Sequence, residues 1–185
     1  MTRPRHILLP DRCISAPELR AAALDGEVVA LGEGFLPIDA PLTALARAVS
    51  LTPVMLDTRV IVADRSAAWV WGWGPMPATV TTCVAITARI PSPDRRRLRT
   101  REVVIDEDEL RMLGDVPVTT PLRTLLDLAR HDSDGHVIDL LAAGIRAHGL
   151  SRTEIDNTLD RRASLSYVRR ARLRLFAALR QADVI

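Results

Sequence analysis

The most restrictive feature of the sequence is a change in residue pattern close to position 119. Before it, residues 79–87, 101–105 and 116–118 are rich in β-branched side chains, which are typical of strands. After it, apolar residues recur at helical spacing up to the end of the chain. A block of strands followed by a block of helices predicts an α+β fold with a small sheet in the middle and a helical bundle after it.

Four helices are predicted in this last third. Thr120 is placed to cap the first, Gly149 to end the second, and Ser151 with Glu154 to form a capping box that opens the third. In the fourth, five apolar side chains recur on one face and are expected to face the core: Leu165, Val168, Leu175, Phe176 and Leu179. The second, third and fourth helices are predicted over about residues 135–148, 151–161 and 165–181.

The first 40 residues predict a separate small unit. Ser15 and Glu18 form a capping box, and Gly26 ends the helix that they begin. Two β-type runs around residues 32–34 then predict a hairpin. A helix followed by a hairpin is the ending of a winged helix, so we expect a winged-helix-like unit over residues 1–40 and a second domain over residues 41–185. Two further helices are predicted, from Pro41 to about Ser50 and over residues 64–73.

The end of the chain is strongly basic. Seven arginines and no acid lie between residues 161 and 180, which favours a surface that attracts phosphate or an acidic protein and that weakens with salt. The alternative is a solvated face whose arginines pair with acids of neighbouring helices. The candidate binding residues here are Arg161, Arg162, Arg169, Arg170, Arg172 and Arg174.

A second basic run lies between the first two predicted strands. Its prolines and charge predict an exposed loop over residues 91–101, and its candidate binding residues are Arg95, Arg96, Arg97 and Arg99. The acids at 106–109 follow closely, so pairing across a hairpin is the alternative. All 25 cationic residues of the protein are arginine, which suits phosphate binding but is also what a high-GC coding bias produces.

Two smaller patterns each have a structural and a functional interpretation. The three tryptophans, Trp69, Trp71 and Trp73, are expected to pack in the hydrophobic core, and the alternative is that they stack on nucleic-acid bases. Arg123 and Asp127 lie one helical turn apart, as in an ordinary ion pair, and the alternative is that either side chain faces a partner.

Positive signs of enzymatic chemistry are few. The sequence contains no GxxxxGK[ST], GxGxxG, HExxH or GxSxG pattern, so we expect no cofactor. The two cysteines and four histidines have no metal-ligand spacing, so no metal is expected. No apolar run approaches the ~20 residues that span a bilayer, and no signal peptide is visible, so a cytoplasmic location without membrane contact is expected.

Three segments together resemble a known family, the AbiEi-type antitoxins. Residues 18–37 are similar to the family's helix and wing, and residues 65–69 with Gly72 to its Ser-Ala-Ala segment. Most specific is the stretch 118–130, which resembles the pattern Val-Thr-x-x-x-Arg-Thr-Leu-x-Asp-Leu. The matching signature residues are Thr119, Arg123, Thr124 and Asp127.

The resemblance implies a bacterial type IV antitoxin that opposes a cognate nucleotidyltransferase-like toxin. It also implies a winged-helix, DNA-binding end that represses the operon by binding operator DNA, and it makes residues 41–185 the antitoxin domain. Two alternatives stay open: a winged-helix transcription regulator without a toxin, and an enzyme that inactivates the toxin covalently, for example by phosphoryl transfer. For that enzyme, Asp127 and the acids at strand ends are the candidate base or metal ligand.

Overall fold

The computed structural model describes residues 7–11, 13–55, 57–88, 98–162 and 166–182, and it confirms a mixed α+β protein. The helices and strands follow in chain order: α1 (Ala16–Leu24), β1 (Val28–Leu31), β2 (Gly34–Pro37), α2 (Ala44–Ser50), β3 (Ile61–Val62), α3 (Asp64–Val70), β4 (Thr82–Ala85), β5 (Thr100–Val103), β6 (Leu110–Leu113), β7 (Val116–Thr119), α4 (Pro121–His131), α5 (Val137–His148), α6 (Arg152–Arg161) and α7 (Val168–Ala182). Short 3-10 turns precede β3 and β6.

The N-terminal helix and hairpin form as predicted. The Ser15–Glu18 capping box opens α1, and β1 pairs antiparallel with β2 around a turn in which Gly32 has a φ of +57°. Leu31 and Leu36 of the hairpin belong to the same hydrophobic cluster as residues of the central sheet, including Val62 and Val118. This unit therefore packs onto the rest of the protein through apolar side chains. The domain boundary at residue 40 stays a prediction.

The central sheet has five strands in the order β5-β4-β3-β7-β6. It is mixed, because β3–β7 and β4–β5 pair in parallel whereas β3–β4 and β6–β7 are antiparallel. The sequence predicts β4, β5 and β7 but not β3 or β6. A strand of two residues such as β3 has too few positions to show a periodic pattern, and its place at the centre of the sheet depends on contacts with distant segments.

Several helix boundaries differ from those predicted; α5 begins at Val137 rather than at about residue 135, and α7 begins at Val168 rather than at about residue 165. Helix α2 begins at Ala44 rather than at Pro41, because the Thr43 side chain caps it by accepting a hydrogen bond of 3.1 Å from the Ala46 N–H. Helix α3 ends at Val70 rather than at residue 73, since Gly72 takes a φ of +84° that a helix does not allow.

The four C-terminal helices α4–α7 form as predicted and enclose a second hydrophobic cluster. Val168, Leu175 and Leu179 of α7 are buried in it as expected, Phe176 is partly buried, and Leu165 lies outside the described residues. Trp69 and Trp73 are buried, and Trp71 is partly buried against both hydrophobic clusters, which confirms the tryptophans as core residues. None of the helices in the described ranges is both long and apolar enough to cross a lipid bilayer.

Candidate functional site

The signature residues lie where the sheet meets the helical bundle. Thr119 ends β7 and Thr124 lies in the first turns of α4, and their hydroxyl oxygens are 2.7 Å apart. The Trp71 indole N–H donates to the Thr119 carbonyl oxygen at 2.9 Å. The two hydroxyl groups and the Thr119 carbonyl oxygen therefore have hydrogen-bond partners within the protein, and these contacts fix the start of α4 against the sheet.

Arg123 and Asp127 form the predicted ion pair, but within the protein interior. The Arg123 Nε donates to Asp127 Oδ2 at 2.8 Å, and both side chains are almost fully buried. Arg123 Nη1 also donates to the Val104 carbonyl oxygen at 3.1 Å and to Glu109 Oε2 at 2.6 Å. One guanidinium therefore joins α4 to the end of β5 and to the turn before β6.

A second arginine completes this arrangement from the sheet side. Arg101 on β5 makes two hydrogen bonds with the Asp64 carboxylate, of 2.8 and 3.1 Å, and its Nη2 lies 3.8 Å from Asp127 Oδ2. The acidic residues 106–109 follow Arg101 closely in the sequence, but they do not form ion pairs with Arg101 in the structure. We call the connected set the buried ion cluster: Asp64, Arg101, Glu109, Arg123, Asp127, Arg130 and Arg162.

The sequence pattern did not single out Asp64, Glu109 or Arg130 as members of this site. They are separated by up to 66 positions along the chain, and no local spacing connects them. Arg130 is the only one that a helical pattern places near Asp127, three residues away on α4, where their closest charged atoms are 3.7 Å apart.

Titratable side chains around the cluster report its electrostatic environment. Burial lowers the pKa of His131 to about 4, and the charges of Arg101 and Arg130 act in the same direction. Burial also lowers the pKa of Arg130, with the neighbouring arginines adding to the effect while Asp127 opposes it. Burial raises the pKa of the Cys83 thiol beneath the cluster to about 12, so this cysteine is an unreactive core residue. His131 is thus neutral at pH 7 in a region of positive potential.

The cluster forms one wall of a surface cavity of about 780 Å³. Asp127 and Arg130 of α4 lie on that wall, Arg161 lies at the end of α6, and Ser166 and Tyr167 come just before α7. This volume lies within the range of ~300–1,000 Å³ that is typical of small-molecule sites.

Two of the C-terminal arginines pair with carboxylates. Arg162 forms an ion pair with Glu109, and Arg172 forms one of 2.6 Å with Asp160 and a longer one of 3.6 Å with Asp156. At Arg162 and Arg172 the structure therefore shows the alternative interpretation, in which the arginines pair with carboxylates of the same protein. Their charges are largely compensated, and they hold α6 against α7 and against the sheet.

Two others bind backbone carbonyl groups instead. Arg170 donates to the Arg130 carbonyl oxygen, and Arg174 donates to those of Ala129 and Asp132, at 3.2 and 2.7 Å. These oxygens are at the C-terminal end of α4, where a helix leaves its last carbonyl groups without intrahelical partners and where positive charge is favourable. A carbonyl oxygen satisfies the donors of an arginine without cancelling its full charge, so this end of the bundle stays positive.

The remaining candidates are exposed or lie beyond the described residues. Among the described residues, Arg161 donates to the Asn157 carbonyl oxygen and to the Thr158 hydroxyl, both at 3.4 Å. Arg169 is exposed and has no ion pair with any residue in the part of the chain that the structure describes. Arg99 is also exposed. The other three members of the second basic run lie outside the described residues: Arg95, Arg96 and Arg97.

A comparison with protein families gives a match that covers most of this architecture. Residues 60–176 match the model of the AbiEi antitoxin C-terminal domain. The chain belongs to the AbiEi antitoxin family. The matched part of this AbiEi antitoxin begins next to β3 and extends into α7, so it contains the whole central sheet and the buried ion cluster. An antitoxin role and a toxin partner follow from the family.

A search of curated proteins finds no significant match for this AbiEi antitoxin. Within it, the structure separates two groups among the residues that the sequence singled out. Thr119, Arg123, Thr124 and Asp127 come together in the interior, where they stabilise the domain. The arginines of α7 lie at the surface beside them, and only some of those keep an uncompensated charge.

Proposed function

We propose that this antitoxin neutralises a nucleotidyltransferase-like toxin by direct contact, and that α7 supplies part of the contact surface. Family membership supports the antitoxin role, and the resemblance of residues 118–130 to the AbiEi signature supports the class of toxin. The surface chemistry of α7 supports the place of contact. A contact surface must be exposed, and uncompensated charge beside apolar side chains favours association with a complementary partner.

Three exposed residues of α7 form such a face. They are Arg169, Leu173 four residues after it, and Arg180 eleven residues after it. At about 100° per residue, these spacings place the three side chains within about 40° of one another around the helix. We call them the outer stripe of α7. Leu173 is 73% exposed, and neither arginine has an ion pair within the described residues. Since a helix rises ~1.5 Å per residue, the two charges are about 16 Å apart, with the apolar side chain between them.

This stripe is the observation that carries the proposal. Arginine is enriched at protein interfaces, and Leu173 adds an exposed apolar side chain between the two charges. The charges suit an acidic rim around an apolar centre on the toxin. The hairpin end of the antitoxin fits an acidic partner less well, because Asp25, Glu27 and Glu33 surround it.

Coexpression with the nucleotidyltransferase-like toxin from the neighbouring gene tests the proposal. The wild-type antitoxin should restore growth, and the double variant Arg169→Glu/Arg180→Glu should not, because both charges are reversed on the exposed face, at positions without an ion pair to any described residue. The affinity of the purified pair should fall by about tenfold or more and should lose much of its salt dependence.

A matched control is Arg20→Glu, which reverses an exposed arginine on α1 and should leave both growth rescue and affinity unchanged. Circular dichroism should show that each variant is folded. Full rescue by Arg169→Glu/Arg180→Glu would exclude the outer stripe, and persistent growth arrest with the wild-type antitoxin would exclude neutralisation of this toxin. The mass of the toxin, measured after coexpression, distinguishes contact from covalent modification, and an added phosphoryl group would contradict our proposal.

Operator binding stays a prediction of the family resemblance. A gel-shift assay on the upstream region of the gene, at low and at high salt, measures it. Loss of the shift on replacing Arg169, Arg170, Arg172 and Arg174 by Ala would place DNA on α7, whereas an unchanged shift would leave the N-terminal hairpin as the contact.

A further inference from the structure

The hairpin end of the protein carries negative charge without a compensating cation. Between residues 21 and 43 the chain has four acids, Asp25, Glu27, Glu33 and Asp39, and no arginine or histidine. All four are exposed, and none of them forms an ion pair with a residue in the ranges that the structure describes. A surface whose charges share one sign attracts a partner of the opposite sign.

An exposed apolar side chain lies between two of these charges. Glu27 begins the hairpin, since the Ile38 N–H donates to its carbonyl oxygen at 3.0 Å, and Glu33 lies in the turn between β1 and β2. Val29 of β1 stands between them and is 42% exposed. We call Glu27, Val29 and Glu33 the acidic edge. At ~3.3 Å per residue along a strand, Val29 is about 7 Å from Glu27, and the turn places Glu33 roughly 16 Å from Glu27.

The outer stripe of α7 has the same spacing with the opposite charges. Because a helix rises ~1.5 Å per residue, Leu173 is about 6 Å from Arg169 along the helix axis and Arg180 is about 16 Å from it. In the stripe and in the acidic edge alike, the apolar side chain lies closer to the first charge than to the second. Each arginine can therefore meet one carboxylate while the two apolar side chains cover each other.

Both surfaces are exposed, so neither covers the other within one chain, and a second copy supplies the missing counterpart. We propose that the outer stripe of one antitoxin docks on the acidic edge of a second copy, and that a two-fold axis relates two such contacts. A contact of this kind repeated in one direction would build an open chain, whereas two reciprocal contacts use both surfaces and close a dimer. Few side chains contribute, so the interface is smaller than the ~1,200 Å² of stable complexes, and we expect a dissociation constant of about 10–100 µM.

This inference rests on the proposed function, because the toxin and the second copy would use the same stripe. Self-association shields the basic stripe in antitoxin that has no toxin bound, and the toxin displaces the second copy. The acidic edge has no part in the proposed toxin contact, so Glu27→Arg/Glu33→Arg should lose the dimer and still restore growth in coexpression. The two proposals fail separately. A monomeric wild type that restores growth contradicts only the dimer, and a dimeric wild type that does not restore growth contradicts only the proposed function.

Sedimentation equilibrium of the full chain, without toxin, measures the association. At low salt the average mass should rise from one chain towards two as the protein concentration passes the expected dissociation constant. Because the contacts are between exposed charges, salt at about 0.5 M should weaken the dimer by about tenfold or more.

Charge reversal identifies the two surfaces. Arg169→Glu/Arg180→Glu has two acidic surfaces and Glu27→Arg/Glu33→Arg has two basic ones, so each variant should be monomeric by itself. Mixed in equal amounts, the two variants should form a heterodimer, because each of its two contacts then joins opposite charges. A variant that is monomeric because it is misfolded would not be rescued by mixing. The matched control is Asp115→Arg, which reverses an exposed charge in the turn between β6 and β7 and should dimerise as the wild type does.

Four results would overturn the proposal. The first is a wild type that stays monomeric at every concentration at low salt. The second is a mass that keeps rising past two chains, which would contradict closure by a two-fold axis. The third is dimerisation of either charge-reversed variant alone with the affinity of the wild type. The fourth is a mixture of the two variants that stays monomeric although circular dichroism shows both to be folded.

Discussion

Replacing Arg123 by methionine removes the guanidinium at the centre of the buried ion cluster while keeping much of the side-chain length. The side chain is 3% exposed and donates to three acceptors, on Asp127, Glu109 and the Val104 backbone. Without it, two carboxylates and a carbonyl oxygen lose a donor in a place that water reaches poorly. The desolvation cost of these groups then remains without the interaction that offsets it.

Removal of one partner from a buried pair costs about 3–5 kcal/mol of the free energy of unfolding. Glu109 keeps Arg162, and Asp127 keeps Arg130 at 3.7 Å, so we expect a loss near the lower end, about 3 kcal/mol. In a chain of 185 residues each kcal/mol changes the melting temperature by about 2–4 °C, which gives a decrease of roughly 6–12 °C.

The chain offers a matched comparison at the same spacing. Arg152 and Asp156 also lie four residues apart in a helix, in the same order, but their side chains are 70% and 30% exposed and the closest charged atoms are 3.6 Å apart. Arg152→Met should therefore cost below about 1 kcal/mol, including its contact over the Phe176 ring. The difference between the two variants isolates the effect of burial.

Urea denaturation, monitored by circular dichroism and by tryptophan fluorescence, measures the loss of unfolding free energy in both variants. The double variant Arg123→Met/Asp127→Leu should recover part of the stability lost in Arg123→Met, because it also removes the carboxylate that was left buried. The reasoning is refuted if Arg123→Met and Arg152→Met lower the free energy of unfolding equally, or if the double variant is no more stable than Arg123→Met.

Two further predictions concern packing and pH. Gly144→Ala places a Cβ about 2.8 Å from the Trp73 ring, so it should lower the free energy of unfolding by about 1–3 kcal/mol in urea denaturation. Gly135→Ala, whose Cβ would have no atom within 4 Å, should leave that free energy unchanged. Equal losses in the two variants would contradict this. Because the pKa of His131 falls from 6.5 to about 4 on folding, the unfolded chain binds the extra proton in this window. Stability should therefore decline as the pH falls from 6.5 to 4, by about 2 kcal/mol after allowance for solvent screening, and stay constant below that for this group. His131→Asn should remove this part of the pH dependence, and an unchanged profile would refute the assignment.

Most of the local structure was predictable from short-range signals. The capping boxes at Ser15 and Ser151 and the Thr120 cap were identified because each depends on residues three positions apart, whereas the Thr43 cap of α2 was missed. Hydrophobic periodicity identified the buried face of α7 and all four helices of the bundle. The sheet order could not be predicted in the same way, because β3 pairs with β4 and β7 through contacts between residues as far apart as Val62 and Val118.

The roles of the arginines were likewise predictable only in part from the sequence. The sequence by itself determined that positive charge is concentrated near the end of the chain and that Arg123 and Asp127 form a pair, since both follow from composition and helical spacing. Only the tertiary structure decided which charges are compensated. Glu109 reaches Arg162 across 53 positions, and the end of α4 takes up Arg170 and Arg174 through carbonyl oxygens. The reason is physical: the net effect of a charge depends on the distance to its partner and on the water around it, and folding sets both.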